Sequence, residues 1–225
     1  MERLTLDKLK IWPSLLAANL LHLSKELEVL EKHGIQQIHL DVMDNHYVPN
    51  LTFGPDFCHQ IHHQFPKFQI DVHLMVTPVN DMIIKFAKAG AKRIAIHADA
   101  SLHLNHSLDL IRQNNCFAGL AINPGESVEH LKWCHQQLDY ILIMTVNPGF
   151  GGQKLIPSVM EKIQFIKNKY PDLPIMVDGG VNQDNILDLI KCVAEEFVIG
   201  SALFQASNYP ACIGNYSEVI KKYVL

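Results

Sequence analysis

Short runs rich in β-branched and other apolar residues alternate, about eight times, with longer stretches whose apolar residues recur every three or four positions. That alternation leaves few options, because strands separated by helices pair in parallel and bury both faces of their sheet. The candidate strands are "KIWPSLL" from Lys10, "QIHLDVMD" from Gln37, "FQIDVHLMV" from Phe68, "RIAIHAD" from Arg93, "FAGLAIN" from Phe117, "YILIMTV" from Tyr140, "PIMVDGG" from Pro174 and "EFVIGSA" from Glu196. Helix-like sequence follows each. In "LSKELEVLEKHG", Leu23, Leu27 and Leu30 share a face, Ser24 is placed to cap the start and Gly34 to end it; Gly90 closes "DMIIKFAKAG" similarly. The predicted fold class is α/β, a (β/α)8 TIM barrel with a parallel eight-stranded barrel, in a single domain over residues 1–225. An open doubly wound sheet is the alternative. The barrel is favoured because no GxGxxG follows the first strand, and because polar residues gather at the C-terminal ends of many strands rather than at one switch point.

Composition narrows the partners. Hydrophobic residues make up 48% of the chain and charged residues 19%, enough apolar material for a core. A net charge of -4 without a block of like charges gives no footprint for nucleic acid or for an anionic membrane surface. The five cysteines contain no CxxC pair and read as free thiols of a reducing compartment. The N-terminal "MERLTLDKLKIW" alternates charged and apolar residues, so neither a signal peptide nor a membrane span is expected and a cytoplasmic location follows by default.

Chemistry gathers on alternate positions of the strands. His39, Asp41 and Met43 point one way along the second strand, and Leu40, Val42 and Asp44 the other, with Asp44 serving the loop beyond. His73 has Asp71 and Met75 as same-face neighbours, and Asp178 stands at the C-terminal end of the seventh strand, where barrel enzymes build their sites. His39, Asp41, His73 and Asp178 could converge at the barrel mouth. Two imidazoles and two carboxylates suit one divalent cation such as Zn²⁺, Fe²⁺, Mn²⁺ or Co²⁺. The competing reading is four separately satisfied buried polar groups.

"VNPGFGGQ", from Val146, supplies glycines that let backbone amides approach an anion, although an ordinary glycine-rich turn would look alike. "VDGG" from Val177 and "IGSA" from Ile199 add small residues after the next two strands, and three such adjacent loops favour a phosphate site. Weaker features are "HQIHH" from His59, read as a solvated helix face, and His97 with Asp99, which share a strand face and would either line the mouth or pack. Met43, Met75, Met144 and Met176 read as core, with Met43 and Met75 a candidate apolar floor beneath the metal.

With these residues in view, the chain resembles the ribulose-phosphate 3-epimerase family over nearly its whole length. The carrying motifs are "PSLLAAN" from Pro13, "HLDVMDNHYVPNLTFGP" from His39, "DVHLMV" from Asp71, "LAINPG" from Leu120, "MTVNPGFGGQ" from Met144, "VDGGV" from Val177 and "FVIGSALF" from Phe197. The resemblance implies interconversion of D-ribulose 5-phosphate and D-xylulose 5-phosphate in the pentose phosphate pathway. It implies that His39, Asp41, His73 and Asp178 bind one divalent metal, and that Asp41 and Asp178 are the acid/base pair. Ser14, His73 and Asp178 would contact the sugar; Gly149, Phe150, Gly151, Gly152, Gly179, Gly180, Gly200 and Ser201 would hold the phosphate end. A homo-oligomer is expected.

Three departures stand out: Asn45 where glycine is usual, Asp99 where glutamate is usual, and Glu195-Glu196 where alanine-aspartate is common. None touches the four ligands. The rival readings are an epimerase for a phosphorylated hexulose such as allulose 6-phosphate, a metal-dependent lyase, and a non-catalytic sugar-phosphate binder. A Schiff-base aldolase is disfavoured because Lys10, Lys67 and Lys92 fall near strand beginnings.

Overall fold

The computed structural model describes residues 8–224; residues 1–7, which carry much of the N-terminal charged and apolar alternation, and Leu225 lie outside the described residues. Eight strands, β1 Lys10–Pro13, β2 Gln37–Met43, β3 Gln69–Met75, β4 Arg93–His97, β5 Phe117–Ile122, β6 Tyr140–Met144, β7 Ile175–Asp178 and β8 Glu196–Ile199, pair in parallel in the order β1-β8-β7-β6-β5-β4-β3-β2. The helices between and after them are α1 Leu23–Lys32, α2 Pro55–Gln64, α3 Asn80–Lys88, α4 Leu104–Gln113, α5 Leu131–Cys134, α6 Val159–Lys169, α7 Ile186–Lys191, α8 Ser201–Phe204 and α9 Tyr209–Val224. The ring closes between β1 and β2 through a single parallel bridge, Ser14 to His39, aided by the Gln37 side-chain amide, which donates to the Ile11 carbonyl at 2.7 Å. The expected (β/α)8 barrel is the observed architecture.

Each strand stops short of its expected C-terminal end, β1 at Pro13 rather than Leu16 and β7 at Asp178 rather than Gly180. The residues beyond leave the ladder for turns. The Ser14 hydroxyl accepts from the Leu16 amide to start a short 3-10 turn, and Gly179 and Gly180 adopt positive φ. Ser24 does not cap α1. The helix follows directly from a 3-10 turn over Leu20–His22, whose own start is capped upstream by Asn19. Gly34, at φ +80°, does end the helix, with the Ile35 amide returning to the Leu30 carbonyl.

The two faces of the strands make two different cores. Outward residues such as Ile38, Leu40, Val42, Val72 and Leu74 pack in one layer beneath the helices, while Trp12, Ala95, Ala121, Tyr140, Leu142, Met176 and Val198 fill the barrel interior. That interior also holds charge near the N-terminal ends of the strands. Arg93 makes a two-pronged bond to Glu196 at 2.9 and 2.6 Å, its Nε lies 3.3 Å from Asp71, and its guanidinium stacks 3.8 Å from the Tyr140 ring centre and 4.4 Å from that of Trp12.

The Tyr140 ring fits because residue 119 has no side chain: a β-carbon there would lie 2.4 Å from the ring carbon Cζ. Gly119→Ala should therefore cost roughly 1–3 kcal/mol through overpacking. Chemical denaturation compared with wild type would measure the loss, and an unchanged midpoint would refute it.

All five cysteines are free and buried. No helix among the described residues is long and apolar enough to cross a membrane.

Candidate active site

Strand register assembles the quartet. His39 stands beside Asp71, and Asp41 beside His73, on the paired strands β2 and β3, while Asp178 ends β7. One ligand atom from each of His39, Asp41, His73 and Asp178 lies within 4.8 Å of all the others. His39 Nε2 is 3.5 Å from Asp41 Oδ1 and 3.7 Å from Asp178 Oδ2; His73 Nδ1 is 3.5 and 3.6 Å from the same two oxygens. Those two ring nitrogens are buried and have no hydrogen-bond partner among the described residues. A buried polar atom without a partner is costly, and two of them aimed at two carboxylate oxygens are the donor set that a divalent cation satisfies.

The two carboxylates are not equivalent. Burial would raise Asp41, but the charges of His39 and His73 beside it outweigh burial and hold the group far below the carboxylate range. Burial raises Asp178 as well, and the Asp41 charge beside it adds to the rise. Asp41 is further fixed by the Ser14 hydroxyl, which donates to its Oδ2 at 2.6 Å. Two acids with affinities pushed apart are a device for moving a proton in one direction and returning it in the other. Burial works against charge on His39 and His73, yet the facing carboxylates raise both.

The two acids of the quartet stand at one end of a cavity of about 340 Å³. Ser14, Asp41 and Asp178 line it at the acid end; Gly149, Phe150, Gly151, Gly152, Gly179, Gly180, Gly200 and Ser201 line the rest. His39 and His73 are fully buried behind that wall. Gly180 must be glycine, since it sits at φ +65° and a β-carbon would meet the Leu155 amide nitrogen at 2.6 Å. The helix α8 starts at Ser201, immediately after Gly200.

Other candidates land elsewhere. Met43 and Met75 line the cavity with Met144, but they stand one pleat further toward the mouth than Asp41 and His73, so they wall the cavity above the quartet rather than floor it. Met176 is barrel core. Asp99 lies in a 3-10 turn beyond β4, and neither it nor His97 lines the cavity; His97 is fully buried, with Nε2 at 2.8 Å from His73 Nε2. His59, His62 and His63 are exposed on α2, as expected of a solvated face.

Several contributors carry no local signature in the sequence. Thr145 donates to the carbonyls of Asp178 (2.9 Å) and Gly179, pinning the turn that presents the acid. Asn50 donates to the Gly149 carbonyl at 2.8 Å and ties the loop after β2 to the glycine-rich loop. That first loop is built on Asp44, whose carboxylate accepts from the amides of His46, Tyr47 and Thr77, with Asn45 left-handed at φ +58°. Asp71 was within reach of strand alternation, being in register with His39, but alternation alone does not say which neighbour it serves.

The model of the ribulose-phosphate 3-epimerase family matches residues 10–204. The ribulose-phosphate 3-epimerase of Buchnera aphidicola is 43% identical over 212 residues, covering 92% of this chain and 93% of that protein. The enzyme of the same name from Escherichia coli strain K12 is 40% identical over 216 residues, covering 94% and 96%. Among solved structures, 3-hexulose-6-phosphate synthase from Salmonella typhimurium superimposes with a TM-score of 0.73 at 12% identity, over 96% of this chain and 100% of that one, a likeness of fold.

Proposed function

The chain belongs to the ribulose-phosphate 3-epimerase family, and on that premise we propose how its residues interconvert D-ribulose 5-phosphate and D-xylulose 5-phosphate. Inverting carbon 3 requires a proton to leave one face of the sugar and return on the other, so two carriers are needed. Asp41 and Asp178 are those carriers. They line the same cavity from β2 and β7, and their proton affinities are pushed apart, Asp178 raised by burial and the Asp41 charge and Asp41 lowered, against burial, by His39 and His73. Ser14 orients Asp41 through its Oδ2, leaving Oδ1 toward the histidines.

His39, Asp41, His73 and Asp178 would hold one divalent cation, of which Zn²⁺, Fe²⁺, Mn²⁺ and Co²⁺ all suit two nitrogen and two oxygen donors. Bound there, the cation supplies positive charge for the enediolate oxygens that develop as the proton leaves. The glycine loops after β6 and β7, with Gly200 and Ser201, take the phosphate. Their backbone reaches the cavity without side chains in the way, and Gly179 and Gly180 turn it there at φ +113° and +65°. The five free, buried thiols support a reducing, cytoplasmic setting.

The observation that carries this reading is the pair of partnerless imidazole nitrogens facing two acids at one end of a glycine-walled cavity. Its test is metal analysis of protein purified without chelator, followed by chelation and re-addition of each cation. Turnover of D-ribulose 5-phosphate should fall to background on chelation and return with at least one metal. Full activity in metal-free protein would defeat it. Side-by-side assay of allulose 6-phosphate addresses the hexulose alternative, which a higher kcat/KM on the hexulose would favour. Among the described residues no lysine lines the cavity, which speaks against a Schiff-base aldolase.

A further inference from the structure

Each of the two histidines has one ring nitrogen turned to the acids and one turned away, and the nitrogen turned away is different in the two cases. His39 faces the acids with Nε2 and places Nδ1 2.7 Å from Asp71 Oδ2. His73 faces them with Nδ1 and places Nε2 2.8 Å from His97 Nε2. The partners differ in charge. Asp71 is a fully buried carboxylate whose other oxygen, Oδ1, lies 3.3 Å from the Arg93 Nε and accepts from the Tyr140 hydroxyl, so a cation and a donor face it from the side away from His39. A carboxylate only accepts, so His39 Nδ1 carries a hydrogen, and Nε2 is the nitrogen whose lone pair the neutral ring presents to a cation.

At His73 the same reasoning runs through a neutral ring. Two ring nitrogens 2.8 Å apart need one donor and one acceptor. If Nδ1 of His73 presents a lone pair, its Nε2 donates and His97 Nε2 accepts, which puts the hydrogen of neutral His97 on its own Nδ1. His97 Nδ1 has no hydrogen-bond partner among the described residues, so it is unsatisfied with or without the hydrogen, and no donor there demands a lone pair. The ring is held by Tyr47, whose ring centre is 5.0 Å away and whose hydroxyl is anchored to Asp99 Oδ1 at 2.8 Å.

We propose that Asp71 and His97 are positioning residues that lock the two histidine ligands in opposite tautomers, His39 presenting Nε2 and His73 presenting Nδ1, one backed by an ionised carboxylate and the other by a neutral imidazole. This rests on the metal-binding reading above. It goes beyond the four ligands in assigning each imidazole the group that fixes which ring nitrogen it presents to a cation.

The test is cobalt binding, read by competition with a chelator and by the visible spectrum of bound Co²⁺, together with ¹⁵N shifts of labelled histidine in the zinc-loaded protein. The shifts should place the hydrogen on Nδ1 of His39 and on Nε2 of His73. His97→Leu, which removes the acceptor, should weaken cobalt binding about 10–100-fold. His97→Gln keeps an acceptor oxygen and should recover most of that loss. Asp71→Asn keeps an acceptor without charge and should weaken binding while leaving the His39 hydrogen on Nδ1.

Equal weakening in His97→Leu and His97→Gln, or shifts that place the hydrogen on Nε2 of His39, would overturn the assignment. Unchanged affinity in His97→Leu and Asp71→Asn would overturn it with the metal site intact. A wild-type protein that binds no cobalt would instead overturn the metal reading, and this inference with it.

Discussion

Asp41→Asn and Asp178→Asn should each lower epimerisation of D-ribulose 5-phosphate by about 10²–10⁴-fold, the usual worth of a positioned proton carrier. Both residues sit at the cavity wall with little exposure, so an isosteric amide should leave the fold intact and soluble. The informative measurement is exchange rather than turnover. With one carrier left, the protein can still remove the carbon 3 proton from one face and return a solvent deuteron to that same face. Each variant should therefore wash deuterium into one epimer while failing to make the other, and the two variants should choose opposite epimers. Substantial epimerase activity in either variant, or exchange into both epimers by one of them, would defeat the two-acid scheme.

Arg93→Met should be the most damaging single change to stability. The guanidinium is nearly buried, bonded to Glu196 through two nitrogens, beside Asp71 and stacked on Trp12 and Tyr140. Its removal strands two carboxylates in the barrel interior, and breaking a buried ion pair from one side costs about 3–5 kcal/mol. At roughly 2–4 °C per kcal/mol for a chain of this size, the thermal midpoint should fall on the order of 6–20 °C. Removing the partner too should help: the Arg93→Met, Glu196→Met double variant should be more stable than Arg93→Met alone, because an apolar pair leaves one fewer uncompensated charge. A double variant less stable than the single one would show that the loss comes from packing on the two rings rather than from stranded charge.

The barrel was legible because its strands are buried on both faces and so stand out as apolar runs, and because their alternate residues carry the chemistry. His39 and Asp41 could be placed on one face from spacing alone. The strand ends were misjudged because Ser14, Gly179 and Gly180 continue an apolar or small-residue run while their backbone has already left the ladder. The group formed by Arg93, Asp71, Glu196 and Tyr140 was not legible. Its members are brought together only when the ring closes, Arg93 and Glu196 being 103 residues apart, and an arginine at the start of a strand gives no local hint of its partner. Glu196 appears in sequence merely as a departure from the family pattern; in the folded barrel it is the counter-charge of the arginine that keeps Asp71 ionised. Thr145 and Asn50 escaped for a related reason, since each acts on a backbone carbonyl of another loop.

The seam between β1 and β2 is closed by the Ser14 to His39 backbone bridge and the Gln37 side-chain bond in place of a ladder, and the Ser14 hydroxyl orients Asp41. The residue whose backbone shuts the cylinder thus also holds the reacting acid through its side chain. A chain refolded with seven of its eight strand neighbours in place would show nearly all of its native circular dichroism and none of its orientation at Asp41. In a renaturation experiment, catalysis should therefore return no sooner than this seam closes, so its recovery reports the β1–β2 junction separately from the optical signal of the rest of the barrel.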